Sequence, residues 1–508
     1  MNDAVAPTAA DWRYRPGVVT PRRADQGDGS FRNPIVAGDH PDPTVLKDGA
    51  DYYMSFSALQ SSPAAVIWHS RDLVNWAPIT AALTQPLGSV WAMDLVKHGG
   101  RYFIYLPVLR HKRVALYVIH ADDIRGPWSD PVDLKLDGCL DPAHAVGEDG
   151  RRHLFVNGVR RIALSDDGLA TIGSLEAVHR LRPGSCDAEP DSLAAEGPRL
   201  LRRGGFFYML SAVSSPGADS HVLAVARSTS VLGPWEDCPF DPMAGIASSG
   251  QAWRTGGHPS LAEGPAGDWW MVCHGYEDGY RTLGRQALLQ PVDWTRDGWF
   301  RVSGEPLDRR QRKPGGGQAS PAAPGPADEL TLKRLGLQWR FFDAAADEFQ
   351  RARDDGRGLV LRGKGTGLAD CSPLTCVVAD HSYEAELEFE LVGNVQGGLA
   401  LFHDARGFVG IGIGDGRMHT YSYGQAHRWM QQPVPGRRHR LRLTNHRHLI
   451  SFEHASGEGP WVPNPWLQAV SALHQNVFGG LHSLKLAVFA AGDGEVRLHR
   501  FSYRGQHH

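Results

Sequence analysis

Nowhere in the chain is there an apolar run long enough to span a bilayer, and Met1 to Gly17 lacks the apolar centre of a secretion signal. An excess of one charge is missing too. Lys and Arg number 53 against 56 Asp and Glu, a net −3, so neither nucleic acid nor an anionic membrane is expected as a partner. Cysteine is sparse and scattered: Cys139, Cys186, Cys238, Cys273, Cys371 and Cys376 form no CxxC pair and no Cys/His cluster. They read as reduced, mostly buried thiols, with only Cys371 and Cys376 near enough in sequence to meet. No sustained 3.6-residue apolar period marks a long helix between the hairpins described below. These absences lead to the expectation of a soluble, cytoplasmic protein.

Glycine and tryptophan are plentiful instead, at 59 and 15 residues, which suits turn-rich β-structure with aromatic surfaces. At 508 residues, two domains are expected. Residues 1–30 read as a loosely attached arm. From 31 to 312 a Gly-bearing turn followed by an aromatic or β-branched strand recurs five times, at Lys47-Asp48-Gly49, His98-Gly99-Gly100, Glu148-Asp149-Gly150, Arg203-Gly204-Gly205 and Ala266-Gly267-Asp268. The copies start about 50 to 65 residues apart, the spacing of four-stranded propeller blades. Trp76, Trp128 and Trp235 recur behind three of them and are expected on outer strands. The fold class expected is all-β, a five-bladed β-propeller. A Pro/Gly-rich run, 313–328, then reads as a linker. Alternating strands over 329–508, such as Tyr383 to Leu391, suggest a β-sandwich.

Three acids stand just before inner hairpins: Asp42 in Pro41-Asp42-Pro43, Asp94 in Trp91-Ala92-Met93-Asp94, and Glu196 in Ala195-Glu196-Gly197-Pro198. Proline fixes its own φ and pushes the residue before it toward extended geometry, so Asp42 is expected on stiff, extended backbone. First strands of propeller blades line the central axis, so equivalent positions converge on one mouth. Converging carboxylates raise the pKa of at least one of them, which acid–base hydrolysis requires. Asp141, in Leu140-Asp141-Pro142, is a weaker echo of Asp42.

Asn33-Pro34 with Pro41-Asp42-Pro43-Thr44, Trp91-Ala92-Met93-Asp94, Ala195 to Leu200, and Leu283-Gly284-Arg285-Gln286 together resemble the motif series of glycoside hydrolase family 43 across about 31–305. The resemblance departs at Met93, where the family usually has proline, and at Thr44, where it often has serine. The C-terminal part resembles the concanavalin-like sandwich of many β-xylosidases of that family. The resemblance implies an inverting exo-glycosidase that frees a pentose from short oligosaccharides, xylose from β-1,4-xylo-oligosaccharides, with α-L-arabinofuranosidase activity as the alternative. A rival of another class is a non-catalytic carbohydrate-binding protein. By motif position Asp42 would be the general base, Glu196 the general acid and Asp94 the residue that tunes the acid. Arg285 would hydrogen-bond sugar hydroxyls, and Trp91, Phe56 and Trp253 are candidate substrate-binding surfaces. His258, in Gly257-His258-Pro259, matches a family histidine near the axis that can bind calcium or a water. No cofactor is otherwise expected, the partner is a small oligosaccharide, and self-association stays open.

Overall fold

Each expected Gly turn joins an antiparallel pair, and the pairs build five blades, four of them four-stranded sheets and blade two carrying a fifth short strand, Ser89–Val90. The computed structural model describes residues 22–181, 194–214, 222–243, 252–317, 335 and 337–506. Blade one is Thr44–Asp48, Asp51–Ser55, Ala64–Ser70 and Ala77–Leu83, and blade two Asp94–His98, Arg101–Arg110, Arg113–Ala121 and Val132–Asp137. Blade three is Ala143–Val146, Arg152–Val156, Arg160–Leu164 and Thr171–Ala177. Blade four is Ala194–Arg203, Phe206–Ser214, Val222–Ser228 and Glu236–Asp237, and blade five Trp253–Glu263, Trp269–Glu277, Arg285–Trp294 and Phe300–Val302. At Gly99-Gly100 and Gly204-Gly205 the φ values are 57° and 82°, the paired left-handed conformation whose twist matches that of the flanking strands.

The second strand of each blade is apolar on both faces because each face meets a different neighbour. Tyr53 packs toward blade two with Leu95 and Ile104, whereas Tyr52 and Met54 pack toward blade five with Val272 and Leu289. Phe103 and Tyr105 join Leu154 of blade three, Phe155 joins Phe207 and Met209 of blade four, and Tyr208 joins Met271 and Leu288 of blade five. Five separate cores thus lie between five blades. The recurrent tryptophans are not on the outer strands as expected. Trp76, Trp128 and Trp235 lie in the segments joining third to fourth strands, and Trp76 and Trp128 donate their indole N–H to Leu73 O at 2.8 Å and Ile124 O at 3.2 Å.

Closing the ring requires the start of the propeller to meet its end. Asn33 does this with one amide: Nδ2 donates to Leu289 O at 3.0 Å and Oδ1 accepts from Leu289 N at 2.8 Å. Ser30–Phe31 pairs with Gln311–Arg312, so the expected arm is part of the propeller from Arg23 onward. Lys313 Nζ binds Asp25 at 2.6 Å and Asp72 at 3.0 Å. The expected linker is therefore fastened to the propeller where it begins; its portion from 318 to 328 lies outside the described residues.

Two compact units account for the described residues: those of Arg23–Pro324 with Gly336–Glu348, and those of Phe349–His508 with Arg22 and Leu335. In the second, Ser382–Asp404 pairs along its length with Lys485–Gln506. Its first part also pairs with Arg438–His446 and its second with Gly407–Gly414, so one strand serves two sheet regions of a β-sandwich. Tyr383, Ala385, Leu387 and Phe389 are buried, while Glu386, Glu388 and Glu390 on the opposite face pair with Arg442, Arg438 and Arg497. The described cysteines, Cys371 and Cys376 included, are buried. Among the described residues no helix is long and apolar enough to cross a membrane.

Replacing Asn33 by Ala strips a buried backbone N–H and C=O of their partners. Each orphaned group costs about 1–3 kcal/mol, so chemical denaturation should show a loss of at least about 2 kcal/mol. A loss under about 0.5 kcal/mol, the level of an ordinary surface change, would mean that other contacts hold the seam.

Candidate active site

The first motif of the propeller docks on the third strand of blade five. Gly38 N donates to Gln286 Oε1 at 3.0 Å, His40 N to Arg285 O at 2.8 Å, and Arg285 N to Asp39 Oδ1 at 3.1 Å. Two motifs 240-odd residues apart are thereby one structure, and Asp42 of blade one meets side chains of blade five. Arg285 Nη1 donates to Asp42 Oδ1 at 2.8 Å, Ser57 Oγ to Asp42 Oδ2 at 2.5 Å, and Asp42 N to His274 Nδ1 at 3.0 Å. His258 Nε2 lies 3.6 Å from Asp42 Oδ1, and the His258 and His274 rings stack at 5.6 Å.

Asp42 is only 4% exposed. Burial alone would raise its pKa, but the charge of Arg285, with His258 and His274, outweighs burial and holds the carboxyl well below the usual range. Burial pushes the His258 imidazole down despite Asp42 and Asp141 opposing the shift, so at neutral pH Arg285 rather than His258 is the cation beside Asp42. Two more donors of Arg285, Nε and Nη2, are buried without a protein partner.

Strand pairing sets a common register for the five inner strands: Thr44 faces Ser55, Asp94 Tyr105, Ala143 Phe155, Arg199 Leu210 and Ser260 Val272. Two residues earlier in each blade stand Asp42, Ala92, Asp141, Gly197 and His258. In that register the three expected acids are not equivalent. Glu196 precedes the level of Asp42 by one residue, and Asp94 follows it by two. Asp42 is not extended either: its φ is +59°, and Asp141, Gly197 and His258 share the kink at 52°, 59° and 48°, each before a proline. The conformation is costly for a non-glycine residue, by about 1–3 kcal/mol, and such strain concentrates at functional sites. Glycine at 197 has a second reason, since a Cβ there would lie 2.8 Å from His258 Nδ1.

Asp141, one level with Asp42, accepts Gly197 N at 2.9 Å on Oδ2. Burial raises its pKa, His258 and the Gly197 N–H oppose this, and the charges of Asp42 and Glu196 push it further up. Glu196 also acts electrostatically on Arg285. Asp42, Asp141, Glu196, Arg285 and His258 therefore share one mouth of the channel.

The profile of glycosyl hydrolases family 43 matches residues 31–300, more than half of the chain and all five blades. The chain belongs to glycosyl hydrolase family 43. It is 29% identical over 363 residues to a non-reducing end α-L-arabinofuranosidase, BoGH43B, of Bacteroides ovatus, covering 66% of this chain and 65% of that one. It is 31% identical over 307 residues to xylosidase/arabinosidase 43B of Humicola insolens, covering 54% and 55%. The matched segments thus span between half and two thirds of those relatives. Among solved structures, the family 43 protein BlXynB of Bacillus licheniformis superposes with a TM-score of 0.80 at 23% identity, covering 94% of this chain and 100% of that one. A xylan β-1,4-xylosidase of Bacillus halodurans gives 0.78 at 23%, covering 93% and 99%. At such identities these superpositions speak to the fold alone.

The family site here differs from the expected one in three places. Asp94 lies a layer below the acids: Oδ1 accepts Thr44 Oγ1 at 3.2 Å and Oδ2 accepts His144 N at 2.7 Å. Burial raises its pKa, and Arg199, the His144 N–H and Thr44 oppose the shift. Trp253 is 5% exposed and packs with Tyr208, Leu210 and Trp299 between blades four and five, so it is core. The calcium reading of His258 does not fit, because calcium takes six to eight oxygen ligands and Arg199 and Arg285 add positive charge there. Among the described residues no group of three or more His, Cys, Asp or Glu could hold a metal ion. Phe56 adjoins Ser57 and meets His40 and Trp68 edge-on at 5.0 and 6.2 Å. Trp91 is half-buried on blade two, its indole N–H donating to Ser89 Oγ at 2.9 Å. Ser57, His274 and Asp39 escaped the sequence reading, since no motif around them marks a ligand to a carboxylate.

Replacing Arg285 by Gln leaves the Asp42 carboxylate buried without its cation. Loss of a positive neighbour makes ionisation harder, so the acid limb of the kcat/KM profile should move to higher pH. Breaking a buried pair typically costs about 3–5 kcal/mol, so the melting temperature should also fall. An acid limb that stays in place would mean that Arg285 does not hold Asp42 ionised.

Proposed function

We propose that the protein is an inverting exo-glycosidase that releases a pentose, xylose, from short β-1,4-linked xylo-oligosaccharides. One observation carries the reading: a carboxylate held ionised, Asp42, shares a channel mouth with a second, electrostatically coupled acid pair, Asp141 and Glu196. Ionised Asp42 takes a proton from the attacking water. Ser57 and Arg285 aim its two oxygens, which leaves it little freedom to rotate. Glu196 gives a proton to the departing glycosidic oxygen. Like charges sharing a site favour a proton on one member of the pair, so Asp141 takes the tuning role that the sequence assigned to Asp94. The unpartnered Nε and Nη2 of Arg285 are donors that sugar hydroxyls can satisfy. An inverting enzyme holds its two acids about 6.5–9.5 Å apart, leaving room for the water.

Relatives named for xylosidase and for arabinosidase activity support a pentose without deciding between the two. Comparing nitrophenyl xyloside with nitrophenyl arabinofuranoside decides. The reading predicts a higher kcat/KM on the xyloside, and faster turnover of arabinofuranoside would replace it by the alternative.

The acids separate by leaving group. A nitrophenolate departs without a proton, whereas a sugar alkoxide needs one, and general acid help is worth about 10²–10⁴ in rate. Glu196→Gln should therefore cripple xylobiose hydrolysis while sparing much of the nitrophenyl xyloside activity, and Asp42→Asn should abolish both. Asp141→Asn removes negative charge beside Glu196, so the alkaline limb of the kcat profile should move to lower pH. Equal losses on both substrates for Glu196→Gln would reverse the assignment.

A further inference from the structure

The base and the acid sit on blades one and four, which are not neighbours around the ring. Two arcs of the ring join them, one through blade five and one through blades two and three, and their separation depends on the ties beneath them along both. Buried Thr44, Asp94, Arg199 and Ser260 occupy that layer, and Ser260 Oγ of blade five donates to Pro43 O of blade one at 3.0 Å. Asp94 of blade two reaches both ways, to the Thr44 hydroxyl of blade one and the His144 N–H of blade three. Thr44 Oγ1 in turn accepts Leu95 N at 3.2 Å. Arg199 of blade four donates Nη1 to Pro142 O of blade three at 3.1 Å and to Pro198 O at 3.0 Å, and Nη2 to Met93 O of blade two at 2.8 Å. Each anchor lies next to an acid in sequence: Thr44 two residues after Asp42, Pro142 one after Asp141, and Arg199 three after Glu196.

At that depth packing supplies the constraint on the sides facing neighbouring blades, where Leu95 and Ala143 enter the inter-blade cores, but not on the side facing the channel. Thr44, Asp94, His144, Arg199 and Ser260 border a cavity of about 380 Å³ in the channel, so the inner strands there face open space. On the channel side, hydrogen bonds that cross from blade to blade hold the strands together. We propose that Asp94 and Arg199 form a clasp that fixes the spacing between Asp42 and Glu196, and that both are positioning residues. Neither side chain need touch the sugar. The inference rests on the hydrolytic reading above for its kinetic consequence, and on geometry alone for its structural one.

The test uses the full chain with Thr44→Val, Thr44→Ser, Asp94→Asn and Arg199→Lys. Misplacement of reacting groups by about 1 Å can cost about 10²-fold in rate. Asp94→Asn and Thr44→Val should lower kcat on nitrophenyl xyloside by about 10- to 100-fold while KM stays within about threefold. Thr44→Ser, which keeps the hydroxyl, should return kcat to within about threefold of the parent. Hydrogen exchange should quicken across 143–146 and 194–203 as well as around the substituted residue. A kcat preserved in Thr44→Val despite a lowered melting point, or a rise in KM at constant kcat, would overturn the clasp. So would faster exchange confined to 44–55. If the parent hydrolyses no glycoside, the functional reading fails, and the exchange pattern alone decides the clasp.

Discussion

A single buried charge organises the catalytic end of this propeller. An isolated carboxylate taken out of water costs several kcal/mol, so Asp42 can be ionised there only beside a cation and full hydrogen-bond partners. Arg285 supplies the cation, and its own burial is tolerable because Asp42 and Asp39 face it. Ser57, His274 and the kink at Asp42 follow from the same demand, since each helps fix where the two oxygens point. The demand extends to the ring seam. Asn33, Gly38 and His40 lock the first motif onto blade five, and without that docking the carboxylate and guanidinium would not meet.

Repetition gives the fold five backbone positions at one depth, and chemistry comes from what fills them. Asp42, Asp141 and His258 occupy three, Ala92 and Gly197 the other two. Gly197 is empty because His258 leans over it, and its free N–H goes to Asp141. One blade's lack of a side chain is thus another blade's hydrogen bond. Glu196, a residue earlier on its strand, reaches the same mouth from a bulged stretch where the pairing slips between Glu196 and Arg199.

Much of this was legible in the residues. Gly turns before aromatic strands marked each inner hairpin, because a strand buried on both faces is apolar at most positions. Asp42, Glu196 and Arg285 were legible as motif members. Asp94 resembles Asp42 in standing before an inner hairpin, but proline is the better ruler of depth: Asp42, Asp141, Gly197 and His258 each precede one and Asp94 does not. Trp253 was misjudged because an indole's composition says nothing of which side of its strand faces solvent. The Pro/Gly run looked detached, but composition cannot report that Lys313 meets Asp25 and Asp72.

The seam has a bearing on how the protein comes into being. Asp42 and Arg285 are separated by 243 residues in the chain, yet each needs the other to be buried. Contacts so distant in sequence incur a large loop-closure entropy and form slowly. On the ribosome, blades one to four can collapse while the first motif still lacks its dock and Asp42 remains solvated. A chain that stops short of blade five therefore carries Asp42 without Arg285, the cation that its burial requires.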